Sequence, residues 1–180
     1  TGIVHPGRCS VTIGTSGVIF AQGNRHLEHP EGLLHSFCHS VRGQWYLMGV
    51  MLSAGGSLQW LRNIFRELAD VDYTMLCKMA SSTPPGSEGL TFLPYLTGER
   101  CPHNDPHARG GWIGLTRRHT LSHMIRSVIE GITFGLNDSL QLMREMGMNI
   151  DAVYASGGAM HSSFWRQMLA DVFGVPVIST

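Results

Sequence analysis

The sequence predicts an α/β fold in which a mixed β-sheet is flanked by helices. Two observations lead to this prediction. Two-residue alternation of apolar side chains changes to helical spacing at Ser53, and the end of the chain is patterned as strand, turn, helix, strand. With 180 residues, 43% of them hydrophobic, the chain can bury the core of one domain or of two small lobes.

The first third of the chain is predicted to form two hairpins. Residues 9–21 alternate apolar and polar side chains on both sides of the turn Gly14-Thr15-Ser16-Gly17, which is typical of two paired strands. A loop rich in Gly, His, Glu and Pro follows over 22–34. Arg42-Gly43 is then a turn signal between strands at 35–40 and 45–50.

Two helices and a short strand are predicted next. Apolar residues at helical spacing predict a helix from Gly55 to Ala69, and either Ser53 or Ser57 is a suitable N-cap for it. A short helix is predicted over 72–80. After a loop rich in Ser, Pro and Gly, the apolar run at 90–95 predicts a short strand.

A long helix is the strongest helical prediction of the chain. Apolar residues from Leu121 to Met143 keep helical spacing, Thr120 can cap the start and Gly147 can end it. Gly131 and Gly135 lie four residues apart on one side of this helix. We expect them to allow another part of the backbone to approach closely.

The tail is predicted to form an α/β unit. A strand at 152–155 leads through a bend at Gly157-Gly158 into a helix at 164–173, and a second strand follows at 175–178. Such bends beyond the carboxyl end of a strand are where open α/β folds bind ligands, although many of them are only turns.

Composition excludes several function classes. The formal net charge is zero, which argues against a nucleic-acid partner. No apolar run reaches the roughly 18 residues of a membrane span. Lys78 is the only lysine, so no Walker-type phosphate loop is present. The scattered cysteines favour free thiols in a reducing compartment, and we expect a cytoplasmic protein.

Two Cys/His clusters leave a zinc-binding module open as an alternative. One lies in the second predicted hairpin and the other in a long polar loop at 97–111, which has two prolines and three glycines. Neither has the spacing of a standard zinc finger, so ordinary loop and core residues explain them at least as well. The residues concerned are His35, Cys38, His39, Cys101, His103 and His107.

Three bends made of small residues lie next to predicted strands and helices, and one functional interpretation could apply to all three. They are the turn at 14–17, the helix start at 53–59 and the bend at 156–159. Each has a purely structural explanation as a hairpin turn, as close packing or as a plain turn. Each also exposes amides or hydroxyls that suit phosphate or a flat base. A nucleotide held between the three bends would account for all of them.

Longer stretches resemble the carboxy-terminal half of a carbohydrate kinase of the FGGY family. GGWIGLTRRHTLSHMIRSVIE at 110–130 is similar to the second signature of that family throughout. GTSG at 14–17 matches its second phosphate motif, and SGGAMHSSFWRQMLADVFGVPV at 156–177 matches its adenosine motif. Segments 35–60 and 93–106 look most like the branch that phosphorylates the 5-hydroxyl of the ketopentose D-xylulose.

The resemblance implies a fold, a reaction and a set of contacts. The fold is an RNase H-like lobe of the actin-like ATPase and hexokinase superfamily, here residues 1–180, incomplete at the C-terminal end. ATP and Mg²⁺ are the implied cofactors. Gly14, Thr15 and Ser16 are expected at the phosphates, Gly55 and Gln59 along the nucleotide pocket, and Gly157, Gly158, Ala159 and Ser162 near adenine and ribose. Glu130 is expected to be structural.

The resemblance also implies that the catalytic residue lies outside residues 1–180. The family's catalytic Asp is expected just upstream of Thr1, and no metal ligand or catalytic residue is assigned within 1–180. The implied partners are ATP, a ketopentose and the N-terminal lobe of the same protein, with a second copy as a further candidate. The chain alone is expected to be inactive. Alternatives are a ribulose, fuculose, gluconate or glycerol kinase, or a non-catalytic nucleotide-binding module.

Overall fold

The computed structural model describes residues 2–66 and 69–180 and confirms the mixed sheet with flanking helices. Six strands form the main sheet in the order β3-β4-β2-β1-β7-β8. Within it, β1–β2, β2–β4 and β3–β4 pair antiparallel, and β1–β7 and β7–β8 pair parallel. The strand bounds are β1 Gly7–Ile13, β2 Gly17–Gly23, β3 His35–Cys38, β4 Trp45–Met51, β7 Ile150–Ser156 and β8 Val177–Ser179.

Two further strands form a small second sheet. β5 (Thr91–Leu93) pairs antiparallel with β6 (Gly111–Ile113), and the polar loop between them confirms the loop predicted at 97–111. The sequence prediction found β5 but not β6, because three residues are too few to show a period of two.

The described ranges contain four α-helices: α1 (Gly55–Arg66), α2 (Tyr73–Ser81), α3 (Leu121–Glu145) and α4 (Ser163–Phe173). The 25-residue α3 packs on β2 and β4 and contacts the other three helices, so it forms the spine of the helical layer. No helix within the described ranges combines the length and apolar character that crossing a bilayer requires.

The start of α1 departs from the prediction. Neither serine caps it, because Ser57 lies inside the helix and donates its hydroxyl proton to the Ser53 carbonyl (2.6 Å). The Ser53 hydroxyl instead pairs with the Thr97 hydroxyl at 2.9 Å. The described part of α1 runs to Arg66, and residues 67 and 68 of the predicted helix lie outside the described residues. The amide of Ala69, the predicted last residue, donates to the Phe65 carbonyl at 3.0 Å.

The caps of the later helices agree with the sequence. Asp72 caps α2 by accepting the Met75 amide at 2.7 Å, and Thr120 caps α3 in a reciprocal pair with His123. Gly147 follows the end of α3 with a φ of 83°, a conformation that glycine adopts at little cost. These local signals explain why the boundaries of α2 and α3 were predictable.

A buried ion pair fixes the loop before β5 to α3. Arg126 Nε lies 2.6 Å from Glu130 Oε1, one turn apart on the helix. Arg126 also donates to the Thr83 carbonyl at 2.6 Å, while Glu130 accepts the Gly86 amide and the Ser87 hydroxyl, each at 2.9 Å. Every partner of this pair is structural, which agrees with the role expected for Glu130.

Gly131 and Gly135 differ in what they pack against. A Cβ at residue 131 would overlap the Phe92 carbonyl oxygen of β5, whereas a Cβ at 135 would meet the mobile end of the Met51 side chain at 3.2 Å. The close backbone approach predicted for this helix face therefore occurs at Gly131.

We expect Gly131→Ala to lower the free energy of unfolding by about 1–3 kcal/mol, because β5 or α3 must shift to admit the methyl group. Gly135→Ala is the matched control, since it adds the same methyl group one turn away beside a flexible thioether. It should stay within about 1 kcal/mol of wild type. Urea unfolding followed by circular dichroism measures both. Equal stability of the two variants would contradict the packing described for Gly131.

Candidate functional site

A cavity of about 760 Å³ opens at the sheet edge where β1 and β7 end. Its walls come from the β1–β2 turn, the start of α1, one face of α2 and the segment joining β7 to α4. The structure brings seven of the nine sequence-predicted site residues into this lining. They are Gly14, Thr15, Gly55, Gln59, Gly158, Ala159 and Ser162.

The β1–β2 turn presents unused donors at the cavity edge. The Gly14 amide is satisfied by the Ser16 carbonyl at 3.0 Å. Among the described residues, no protein acceptor takes the amides or the hydroxyl protons of Thr15 and Ser16. Thr15 lines the cavity, and Ser16 lies exposed in the same turn but outside the lining. Adjacent free amides with two hydroxyls are a set of donors whose chemistry suits an anion.

The start of α1 is not a free helix N-terminus. The amides of Gly55 and Gly56 donate to the carbonyls of Gly14 and Thr15, at 2.9 and 3.0 Å. The first-turn amides therefore hold the hairpin turn in place. Of the two interpretations of this bend, close packing or exposed amides for a ligand, the structure supports close packing. The helix contributes to the cavity through the surfaces of Gly55 and Leu58 and through the exposed side chain of Gln59.

The bend after β7 packs against β1 without a side chain. Gly157 has a φ of 99°, and a Cβ there would overlap the Ile13 carbonyl oxygen, so this glycine allows the bend to pack on β1 and is not itself part of the lining. Gly158 has no atom within 4 Å of a built Cβ, and it faces open cavity space beside Ala159. A flat group can reach the backbone at this point.

Ser162 has a structural role as well as a place in the cavity. Its hydroxyl oxygen accepts the Trp165 amide at 3.3 Å and so caps α4. A hydroxyl that accepts at a cap still has its own proton to donate. That proton can go to a ligand or to the Cys77 sulfur, with which the Ser162 hydroxyl also forms a hydrogen bond.

One face of α2 completes the cavity, and the sequence analysis did not identify it. Thr74, Cys77, Lys78 and Ser81 line the wall at spacings of three, four and seven residues, while Leu76 and Ala80 pack into the core. The sequence feature that could have indicated this wall is the row of polar residues on one side of this short amphipathic helix. Burial raises the pKa of the Cys77 thiol, which therefore stays protonated at neutral pH.

The charge of the lining is neutral to positive. None of its residues is a carboxylate, and its only side chains that carry or can gain positive charge are Lys78 and His161. Apolar surface from Leu58, Phe164 and Trp165 makes up much of the rest. The cavity therefore suits an elongated ligand with one anionic end and one flat, mostly apolar end.

The Cys/His clusters do not support the zinc alternative. Over the described ranges, no three His, Cys, Asp or Glu side chains come close enough to hold a metal ion. Cys101 is buried, with its sulfur 3.1 Å from the Ser139 hydroxyl, and His103 hydrogen-bonds Tyr95 at 2.8 Å. These residues serve packing and loop structure.

Comparison with known protein families gives a match over nearly the whole chain. Residues 9–180 match the family model described as "FGGY family of carbohydrate kinases, C-terminal domain". The chain is 40% identical over 176 residues to the xylulose kinase of Staphylococcus epidermidis, an alignment that covers 98% of this chain and 35% of that protein. The chain thus spans about a third of the length of such curated relatives.

Comparison with solved structures gives the same fold. The structure of a xyloylose kinase from Brucella ovis has a TM-score of 0.91 and 35% identity, covering 99% of this chain and 36% of that one. A gluconate kinase from Lactobacillus acidophilus has a TM-score of 0.88 and 34% identity, covering 96% and 35%. The fold is therefore the RNase H-like fold of these sugar kinases, as the sequence resemblance implied.

Proposed function

Because the chain belongs to the FGGY family of carbohydrate kinases, we propose that residues 1–180 are the nucleotide-binding lobe of a longer sugar kinase. In this proposal the cavity binds ATP, and the whole protein transfers the γ-phosphoryl group to a sugar. The observation that carries the proposal is the convergence of seven predicted residues, distant in sequence, on one cavity without carboxylates. Its polar turn and its flat apolar end lie on different walls.

The chemistry of the walls supports one orientation of the nucleotide. The Thr15 and Ser16 amides and hydroxyls are the unused donors, so the β- and γ-phosphates lie against this turn. The base lies against Gly158 and Ala159, where the backbone is accessible, and Ser162 donates one hydrogen bond to it. The exposed side chain of Gln59 is also part of the lining, and we assign it to the ribose side.

The described residues account for nucleotide binding but supply no residue for the deprotonation of the sugar. They can bind and orient ATP, and Lys78 adds positive charge at the wall of the cavity. Mg²⁺ finds no carboxylate ligand in this lining, so we assign it no protein ligand here and derive no step through it. We also assign no general base within the chain. The sugar hydroxyl must be deprotonated by the N-terminal lobe, so the chain alone is expected to bind nucleotide without turnover.

We propose D-xylulose as the phosphoryl acceptor. Segments 35–60 and 93–106 support this choice, and so does the name of the Staphylococcus epidermidis relative. Gluconate is the runner-up, because a gluconate kinase has nearly the same backbone over this lobe. A non-catalytic nucleotide-binding module is the second class of function. It predicts ATP binding by the full-length protein with no phosphorylated sugar.

Two substitutions test the nucleotide site. Thr15→Ala removes one hydroxyl donor to a charged phosphate, worth about 1.5–3 kcal/mol, so the Kd for ATP should rise roughly 10- to 100-fold. Gly158→Arg fills the space proposed for the base and should weaken binding at least as much. Titration calorimetry with ATP measures both variants.

The matched controls lie away from the cavity. Thr91→Ala removes an exposed hydroxyl from β5, and Gly111→Arg places the same side chain on β6, where a built Cβ also has no neighbour within 4 Å. Both should bind ATP like the wild type. Unchanged affinity in Thr15→Ala and Gly158→Arg would remove the phosphate and base assignments.

A substrate panel tests the proposed reaction with the full-length protein. D-xylulose, D-ribulose, L-fuculose, D-gluconate and glycerol are compared by ADP release in the presence of MgATP. We expect kcat/KM for D-xylulose to exceed the others at least about tenfold, a difference of about 1.4 kcal/mol in transition-state stabilisation. A higher value for gluconate would overturn the substrate assignment, and no turnover with any sugar would favour the non-catalytic alternative.

A further inference from the structure

A three-residue link, residues 52–54, connects β4 to the pocket helix α1 and belongs to no helix or strand. The link lies beside the β1–β2 turn, because Gly17 at the start of β2 pairs with Met51 at the end of β4. A Cβ built on Gly17 would meet the Cβ of buried Ala54 at 3.1 Å. The way in which this link is held therefore bears on the position of the turn.

The polar loop at 97–111 holds the first two residues of the link. Glu99 Oε1 accepts the Leu52 amide at 2.9 Å. The Thr97 hydroxyl pairs with the hydroxyl of buried Ser53, also at 2.9 Å. These contacts join segments that are 47 and 44 residues apart in the sequence. The link is thus fastened by side chains of a distant loop as well as by its covalent neighbours.

Glu99 is itself held firmly by its own loop. The residue is only 2% exposed, and its Oε1 atom also accepts the Arg100 amide at 2.7 Å. The Glu99 backbone exchanges two hydrogen bonds with Asp105, both 2.8 Å. Burial raises the pKa of the Glu99 carboxyl, whereas the Leu52 and Arg100 amides act in the opposite direction by stabilising the carboxylate. The carboxylate therefore reaches the link from a fixed position.

The second oxygen of this carboxylate shows that the arrangement costs free energy. Glu99 Oε2 is buried and has no hydrogen-bond partner among the described residues. A buried polar atom without a partner lowers stability, so stability alone does not explain this side chain. A charged acceptor holds an amide about twice as strongly as a neutral one. Glu99 thus holds the Leu52 amide firmly at a cost in stability, as expected where the position of a segment matters for function.

We propose that Glu99 is a positioning residue of the nucleotide site, which fixes the link between β4 and α1 and, through that link, the turn that takes the β- and γ-phosphates. This inference rests on the proposed function. Glu99 holds the Leu52 amide, the link leads to Gly55, and the first amides of α1 hold the turn carbonyls. The base end of the cavity, at Gly158 and Ala159, belongs to a different wall. Loss of the Glu99 carboxylate should therefore weaken the phosphate contacts and spare those of the base.

Binding of ATP and AMP to the full-length protein tests this assignment. AMP keeps the base and the ribose but lacks the β- and γ-phosphates, so the ratio of Kd for AMP to Kd for ATP measures what the turn contributes. Glu99→Ala should lower this ratio about tenfold by raising the Kd for ATP, while the Kd for AMP changes less than about twofold. Titration calorimetry without sugar measures both constants. A loss of overall stability would weaken the binding of both nucleotides alike.

Two further variants examine how the link is held. Glu99→Gln keeps an acceptor oxygen for the Leu52 amide, so its ratio should stay within about twofold of wild type. Thr97→Val keeps the shape of the side chain but removes the hydrogen bond to Ser53, and it should lower the ratio about threefold. Thr97→Val also provides the test if Glu99→Ala does not fold.

Glu130→Ala is the matched control. Glu130 is also a buried glutamate that accepts a loop amide, from Gly86 at 2.9 Å, but its partners do not belong to the link. Its removal leaves Arg126 buried without its ion partner and lowers stability, which thermal unfolding records for every variant. The ratio of the two dissociation constants should nevertheless equal that of wild type.

Three results would overturn the inference. They are a ratio in Glu99→Ala, or in Thr97→Val if the former does not fold, that equals the wild-type ratio, an equal fall in Glu130→Ala, or a Glu99→Gln variant as impaired as Glu99→Ala. A wild-type protein that binds neither nucleotide would instead refute the proposed function, and the inference would fall with it.

Discussion

The candidate site depends on direct contact between two pieces of backbone. The amides of Gly55 and Gly56 donate to the carbonyls of Gly14 and Thr15, which joins the hairpin turn to the pocket helix without any side chain between them. A Cβ at residue 55 would overlap the Gly14 carbonyl oxygen, and one at 157 would overlap that of Ile13. Glycine is required at both positions because the sheet edge, the turn and the bend after β7 meet at van der Waals distance.

This contact decides which donors remain for a ligand. The first amides of α1 are consumed by the turn carbonyls, so an anion cannot use them as it would use a free helix N-terminus. The turn keeps the amides and hydroxyls of Thr15 and Ser16, and its position is fixed from two sides. Phosphate recognition in the proposed site is therefore a property of a rigid turn, while α1 and α2 supply walls.

Local patterns predicted most of the fold and part of the site. The hairpin of β1 and β2, the long α3 and its cap at Thr120 follow from periodicity and capping residues that lie within a few positions of one another. The use of the Gly55 and Gly56 amides, the strand β6 and the pocket face of α2 were not predicted. The Gly55 and Gly56 amides bond carbonyls that are distant in sequence, which no local pattern encodes. Strand β6 is too short to show a period of two, and the polar stripe of α2 is visible in the sequence, but its place in the cavity depends on segments distant in sequence.

A crystal structure of the full-length protein with a non-hydrolysable ATP analogue and Mg²⁺ tests the central claim most directly. The proposed site predicts the base against Gly158 and Ala159 and the terminal phosphates within hydrogen-bond distance of the Thr15 and Ser16 amides. A nucleotide bound outside this cavity, or bound in it with the phosphates at Ser162 and the base at the turn, would contradict it.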